Sequence, residues 1–265
     1  MKTLLEKTRA MNDLVQRSAG QPVDFKDMAR TLSENVDANC YLIGRYGNIL
    51  GYAFSKGRSC DVIEDIIYDL KCFPEEYTES LVDFKETKAN VAHKDYCVLS
   101  GGKEQCGFGN KITTYVPIIG GANRLGTLVL SKFDDWFSDG DLVLAEYGST
   151  VIAMEMVRAQ VEKNEEEARR KAMVHIAMET LSYSEGEAVY AILKSLGGNE
   201  GVIVASKIAD DAGITRSVIV NALRKFESAG VINSKSLGMK GTFIKVLNPY
   251  IWDNLDRLSI GTMKF

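Results

Sequence analysis

The spacing of apolar residues changes several times along the chain, and the changes divide it. Over 3–19, Leu4, Leu5, Met11, Leu14 and Val15 fall on one side of a helix, and 24–36 repeats that spacing. Cys40-Tyr41-Leu42-Ile43 and Ile49-Leu50-Gly51-Tyr52 then read as two strands around a glycine-containing turn. Residues 61–70 (DVIEDIIYDL) return to helical spacing. Tyr115–Ile119 and Leu125–Leu130 are β-rich runs joined by Gly120-Gly121-Ala122-Asn123-Arg124, which predicts a hairpin. Helices flanking an antiparallel sheet make this half α+β.

A long helix is expected over 138–181, opened by a capping box between Ser138 and Asp141 and free of proline. At ~1.5 Å per residue it spans on the order of 60 Å. Its first part (Leu144, Tyr147, Val151, Met154, Val161) is apolar enough to pack. Its middle is charged, with Glu165–Arg169, Glu166–Arg170 and Glu167–Lys171 at i,i+4 spacing, each worth ~0.3 kcal/mol on an exposed helix. A rigid strut and a passive spacer are both open readings of this segment. Ser182-Tyr183-Ser184-Glu185 caps the next helix. The expected boundaries are therefore 1–137, 138–181 and 182–265.

The last of these segments carries the strongest pattern. A short helix from Ser206 to Ala212 turns at Gly213, where a positive φ suits glycine. A second helix follows, capped by Thr215. Val218, Ile219, Ala222, Phe226 and Ala229 form its core face. Arg216, Ser217, Val220, Asn221 and Arg224 form the opposite face, with Lys225 at the edge. Gly230 stops the helix. Strands from Val231-Ile232 and over Thr242–Val246 flank a turn at Gly238-Met239-Lys240-Gly241. Helix, turn, helix and hairpin make a winged helix-turn-helix, with double-stranded DNA as the expected partner. Arg pairs with guanine, Asn with adenine, and Val touches a thymine methyl. Ser217, Lys235 and Lys240 stand where phosphate would lie, and Ser206, Thr215 and Lys225 complete the expected DNA-binding set.

Charge sharpens this picture. The 265 residues carry a formal charge of −4. Residues 205–248 hold seven bases and three acids, a local +4, so the remainder carries −8. The electrostatic footprint for nucleic acid therefore sits at one end. Neither a membrane-spanning apolar run nor a signal peptide is readable, and five cysteines without a CxxC pair suit a reducing cytoplasm. Cys60, Cys72, His93, Cys97 and Cys106 share the first half and could form a metal or redox sensor, but their spacing is looser than metal sites usually show. With only His93 and His175, no nucleophile–base–orienter set is readable. Gly121–Thr127 has the G-x-x-x-x-G spacing of a phosphate loop, but it continues into Thr127 and a strand, so it reads as a hairpin turn.

LLEKTR near the start, FPEEYT, VPIIGG, RLGTL, LAEYG, ASKIAD, GITRSVIVNALRK, ESAGVI and SLGMKGT together resemble the CodY family of transcriptional regulators over nearly the full length. The resemblance implies an N-terminal GAF-type sensor domain, a long linker helix and a C-terminal winged helix-turn-helix. It implies a cytoplasmic homodimer on a palindromic AT-rich operator, mainly a repressor, sensing isoleucine or other branched-chain amino acids and, in many members, GTP. It implies no covalent cofactor.

The expected amino-acid pocket comprises Arg58, Ile63, Ile67, Phe73, Pro74, Cys97, Val98 and Leu99. In relatives that bind isoleucine, an Arg on the helix before FPEEYT meets the ligand carboxylate. Cys60–Ile67 has no Arg here and carries Asp61, Glu64 and Asp65, which would repel it. Arg58 or backbone N–H groups would take over. The expected nucleotide site keeps Arg45 and Glu155, with Tyr46 able to stack on a base, but lacks two of the family's bases. A different effector, thiol or metal response, and constitutive DNA binding stay open as alternatives.

Overall fold

A computed structural model describes residues 3–17, 24–93, 97–100, 110–133 and 135–255, the side chains of Arg17 and Val98 excepted. The chain divides into two compact units, Met1–Val161 and Glu162–Phe265.

The first unit is a five-stranded antiparallel sheet with a core on each face. Helices α1 (Leu4–Arg17) and α2 (Phe25–Val36) precede β1 (Asn39–Gly44) and β2 (Ile49–Ala53). Then come a 3₁₀ turn at Ser55–Gly57, α3 (Asp61–Asp65) running into a π turn at Ile66–Leu70, and α4 (Glu75–Val82). Strand β3 (Lys88–His93), a 3₁₀ turn at Val98–Ser100, β4 (Lys111–Gly120) and β5 (Asn123–Phe133) complete the sheet, in the order β2-β1-β5-β4-β3. Successive side chains on a strand point to opposite faces. Cys40, Leu42, Leu128 and Leu130 therefore meet Met11, Met28, Leu32, Leu144 and Ile152 on one side. Tyr41, Ile43, Tyr115 and Val129 meet Ile63, Ile66, Ile67, Phe73 and Leu81 on the other.

The expected hairpin is present but longer than the sequence predicts: its strands span 111–133, and Gly120 and Arg124, expected in the connection, pair within the ladder, which closes at Gly120↔Asn123 around Gly121-Ala122. Arg124 directs its donors to the Gly126, Leu81 and Phe84 carbonyls and to Thr127 Oγ1. Its guanidinium is thus occupied in tying the end of α4 to the hairpin.

Helix α5 (Asp139–Glu179) opens with the expected capping box. Asp141 N donates to Ser138 Oγ at 3.3 Å, and Ser138 N to Asp141 Oδ2 at 3.2 Å. Leu144, Ala145, Val151, Ile152 and Ala153 are buried in the first unit, whereas Val174, Ala177 and Met178 belong to the second unit's core. The division of the chain therefore falls inside α5, because each end of the helix contributes to a different core. Of the three pairs expected in the charged middle, Glu166–Arg170 forms at 2.8 Å; Glu166 also takes Arg169 at 2.8 Å, leaving Glu165 and Glu167 out of theirs.

The second unit is built from α6 (Tyr183–Leu196), β6 (Glu200–Ile203), α7 (Ala205–Ala212), α8 (Arg216–Ser228), β7 (Ile232–Ser236) and β8 (Thr242–Val246), with sheet order β6-β8-β7. Ser182 and Glu185 form the α6 capping box. Gly213 and Gly230 adopt positive φ of 68° and 69° at the ends of α7 and α8. Strand β6 escaped the sequence reading, since four residues carry too little periodicity to announce a strand.

Candidate functional site

Helix α8 packs on α6 and α7 through Ile219, Ala222, Leu223 and Phe226, all buried. Val218 and Ala229, expected in the core, are partly buried, and Leu223 joins it unannounced. The opposite face presents Arg216, Ser217, Val220, Asn221 and Arg224 to solvent, and Ser206, Lys235 and Lys240 are exposed on neighbouring elements. Val220 is 42% exposed, so an apolar side chain stands among charged and polar ones, as contact with a base edge requires.

Two residues of this surface behave otherwise than the sequence suggests. Thr215 occupies the N-cap position, but its hydroxyl bonds Ser217 Oγ at 2.8 Å instead of capping backbone. Lys225 turns inward: its ammonium donates to Glu185 Oε2 at 2.6 Å and to the Thr180 carbonyl at 2.8 Å. Helical spacing alone could not reveal partners that lie 40 and 45 residues away in the chain.

In the first unit, a cavity of 30 Å³ opens between β1, β5, α3 and α4. Of the expected pocket residues, Arg58, Ile63, Phe73, Cys97 and Leu99 line it. Ile67 is buried beside them, but neither it nor Pro74 reaches the lining, and the side chain of Val98 lies outside the described residues. The lining also includes Asn39, Tyr41, Tyr77, Lys111, Ser131 and Phe133, which sequence reasoning missed. The alternation of Asn39/Tyr41 and of Val129/Ser131/Phe133 on paired strands was the available signal.

Asn39 organises the mouth. Its Nδ2 donates to the Arg58 carbonyl at 2.7 Å, and its Oδ1 accepts from Ser55 N at 2.8 Å. The Arg58 guanidinium lies 5.5 Å from the Phe133 ring centre. Neither Arg58 nor Lys111 pairs with an acid among the described residues. The expected repulsion from Asp61, Glu64 and Asp65 is corrected. Asp61 and Asp65 face solvent, Glu64 accepts from Ser59 Oγ, and none of the three lines the cavity. Burial raises the Tyr41 and Tyr77 hydroxyls well above their ordinary range, Tyr115 adding to the shift of Tyr77, so both are neutral hydrogen-bonding groups.

The cavity is small. A water needs about 10–15 Å³ of such volume, so a larger ligand enters only if the walls yield. A wider, open groove of 780 Å³ in the second unit, between α6, β6 and α7, mixes Glu187 and Asp211 with Lys194 and Lys207.

The nucleotide residues are not gathered by either space. Tyr46 is exposed, with Arg45 5.9 Å from its ring centre, and Glu155 is buried 3.9 Å from Arg158. Nor are the metal candidates gathered. Cys72 contacts the Tyr46 carbonyl, His93 bonds Tyr115 OH at 3.0 Å, Cys60 and Cys97 face the cavity, and Cys106 lies outside the described residues. Among the described residues no group of three His, Cys, Asp or Glu could hold a metal ion.

Comparison with known proteins gives a consistent result. The CodY GAF-like domain matches residues 3–180, and the CodY helix-turn-helix domain matches 199–259. The Global transcriptional regulator CodY of Clostridium perfringens is 53% identical over 259 residues, covering 97% of this chain and 100% of that protein. Its namesake from Clostridium acetobutylicum is 52% identical over 258 residues, with the same coverages. Among solved structures, the cofactor binding GAF domain of the nutrient sensor CodY from Clostridium difficile is 36% identical, covers 59% of this chain and 99% of its own, and superposes with a TM-score of 0.41.

Proposed function

The chain belongs to the CodY family of global transcriptional regulators, with a GAF-like ligand-binding domain and a helix-turn-helix DNA-binding domain, and on that premise we propose that it is a cytoplasmic, effector-responsive repressor. Helix α8 reads a palindromic AT-rich operator through Arg216, Asn221, Arg224 and Val220, with Lys235 and Lys240 on phosphate. The observation that carries this reading is the exposed Arg/Asn/Val face of α8 on a buried apolar back.

The effector is a branched-chain amino acid, isoleucine by family, held in the cavity beneath Arg58. Arg58 and Lys111 are the cations that would meet its carboxylate, and Ile63, Phe73, Leu99 and Val129 its side chain. Because the cavity is small, binding must displace its walls, and displacement is what a switch needs. The rear wall offers a short route outward. Ser131 and Phe133 of β5 line the cavity, while Lys132 between them points to the other face and holds Asp141 in the first turn of α5 at 2.8 Å. A coupling of ~1–3 kcal/mol would give a useful switch. GTP is a second candidate effector, at Arg45 and Tyr46. No catalytic step belongs to this reading.

The protein acts as a homodimer. Supporting this, Met154, Val157 and Val161 expose an apolar stripe on α5. Operator affinity measured alone, with isoleucine and with GTP tests the whole reading. Tighter binding with isoleucine is expected. Equal affinity throughout would remove both effectors and favour the alternatives of another ligand, thiol response or constitutive binding. Absence of any protected site in genomic footprinting would remove the regulator itself.

A further inference from the structure

Lys225 stands on the helix that carries the DNA-reading face, yet two of its three ammonium donors are spent inside the protein. One goes to Glu185 Oε2 at 2.6 Å, the other to the Thr180 carbonyl at 2.8 Å. Each acceptor belongs to a different joint. Thr180 directly follows α5, and its carbonyl is among those a helix end leaves without an intrahelical partner. Glu185 closes the capping box of α6: its Oε2 also accepts from Ser182 N at 2.7 Å, and its side chain is only 10% exposed. A single ammonium therefore ties α8 to the end of α5 and the start of α6.

The same stretch of α5 is held from other sides within this unit. Asn248 Nδ2 donates to the Arg170 carbonyl at 2.8 Å, Lys171 lies 5.0 Å from the Tyr250 ring centre, and Val174, Ala177 and Met178 share a core with Ile219 and Phe226. Those contacts fix where the end of α5 lies. The polar bond to the reading helix itself is made by Lys225.

We propose that Lys225 is a positioning residue: it contacts no DNA, and through Glu185 and Thr180 it sets the placement of α8 on the α5–α6 joint, and thereby the operator affinity. The inference rests on the reading of α8 as the DNA-reading helix.

The test uses full-length Lys225→Met, Glu185→Gln and their double variant. Gln at 185 keeps an oxygen for the capping box and removes the negative charge that faces Lys225. Affinities for operator and for unrelated duplex are measured across a salt series, with melting curves to confirm folding. Either single substitution is expected to weaken operator binding on the order of tenfold, leaving unrelated DNA and the salt slope unchanged, and the double variant is expected to be no worse than either single. Glu185→Gln is the sharper arm, because removing an acid should strengthen DNA binding if only the overall field mattered. Should Lys225→Met fail to fold, Lys225→Gln, which keeps a donor for Thr180, replaces it.

The inference is overturned if Lys225→Met weakens both DNAs alike and flattens the salt slope by about 0.9, the mark of a lost phosphate contact, or if Glu185→Gln has no effect. An Arg216→Ala control separates the two levels. If it too leaves operator affinity and selectivity intact, the reading of α8 fails. If it abolishes selectivity while Lys225→Met behaves as a phosphate contact, only the positioning role fails.

Discussion

Lys132 and Asp141 form a 2.8 Å ion pair with side chains 8% and 10% exposed, joining the end of β5 to the first turn of α5. The pair has further support. Lys7 approaches the other carboxylate oxygen at 3.7 Å, and the Lys132 ammonium lies 5.0 Å from the Phe137 ring centre. Burial alone would raise the Asp141 carboxyl, but the bonds from Lys132 and Ser138 outweigh it and hold the group below the usual carboxylate range.

Asp141→Asn should therefore destabilise the protein by about 3 kcal/mol in denaturant unfolding, because Lys132 is left buried without its counter-charge. The sign of the pH dependence follows from the lowered value. The contribution is full above the unfolded carboxyl pKa and is lost as pH falls below about 4. Stability of the Asn variant should fall less steeply across that acid range than that of the parent.

Arg124→Lys should cost about 2 kcal/mol, since a single ammonium cannot reproduce the guanidinium fork that serves the Leu81 and Phe84 carbonyls and Thr127. Helix α4 also carries Tyr77 into the cavity wall, so effector affinity should fall with stability. Unchanged ligand binding in a destabilised variant would separate α4 from the pocket.

On α8, Arg216→Ala and Arg224→Ala should each cost ~1–3 kcal/mol in operator binding and relax base preference. Lys240→Ala should weaken all duplexes alike and flatten the salt slope. A selection experiment on randomised sites reads the difference: identical site profiles for all three would mean that α8 does not read bases.

In the pocket, Arg58→Met should weaken isoleucine binding at least tenfold by calorimetry, taking one charge-assisted carboxylate contact as about 1.5–3 kcal/mol. Asp61→Asn and Asp65→Asn should leave it unchanged, because both side chains face solvent. A large gain in affinity from either Asn variant would restore the view that these acids repel the ligand.

Met154→Lys with Val157→Lys should shift the sedimentation coefficient toward the monomer without lowering the melting temperature by more than a few degrees. Both residues are exposed in the single chain and so contribute little to its own core. A dimer that survives the pair of substitutions would place the self-association surface elsewhere.

Helices α1, α2, α5, α7 and α8 and the β4–β5 hairpin were legible because their signals are local: a repeat of apolar positions, a capping box, a glycine at a turn. The exposed face of α8 was legible for the same reason. The pocket was legible only in part. Arg58, Ile63, Phe73 and Leu99 lie in short stretches that the family pattern singles out, Ile63 in α3 and Leu99 in the 3₁₀ turn at Val98–Ser100, whereas Asn39, Ser131 and Phe133 reach the cavity through the pairing of Asn39 with Ser131 across β1 and β5, and those strands are far apart in sequence. Asp61 and Asp65 misled for the complementary reason: neighbours of a pocket residue in sequence can point away from it in space.

The chain by itself determined the strongly periodic helices, the longer strand pairs, and where a basic helix face sits above an apolar one, because those properties depend on residues a few positions apart. Tertiary structure alone decided that Lys225 is bonded inward to Glu185, that Lys132 is buried on Asp141, and that the cavity lined by Arg58 is small. Each of these is a pairing or a volume set by distant segments brought together, and side-chain spacing along the sequence holds no measure of it.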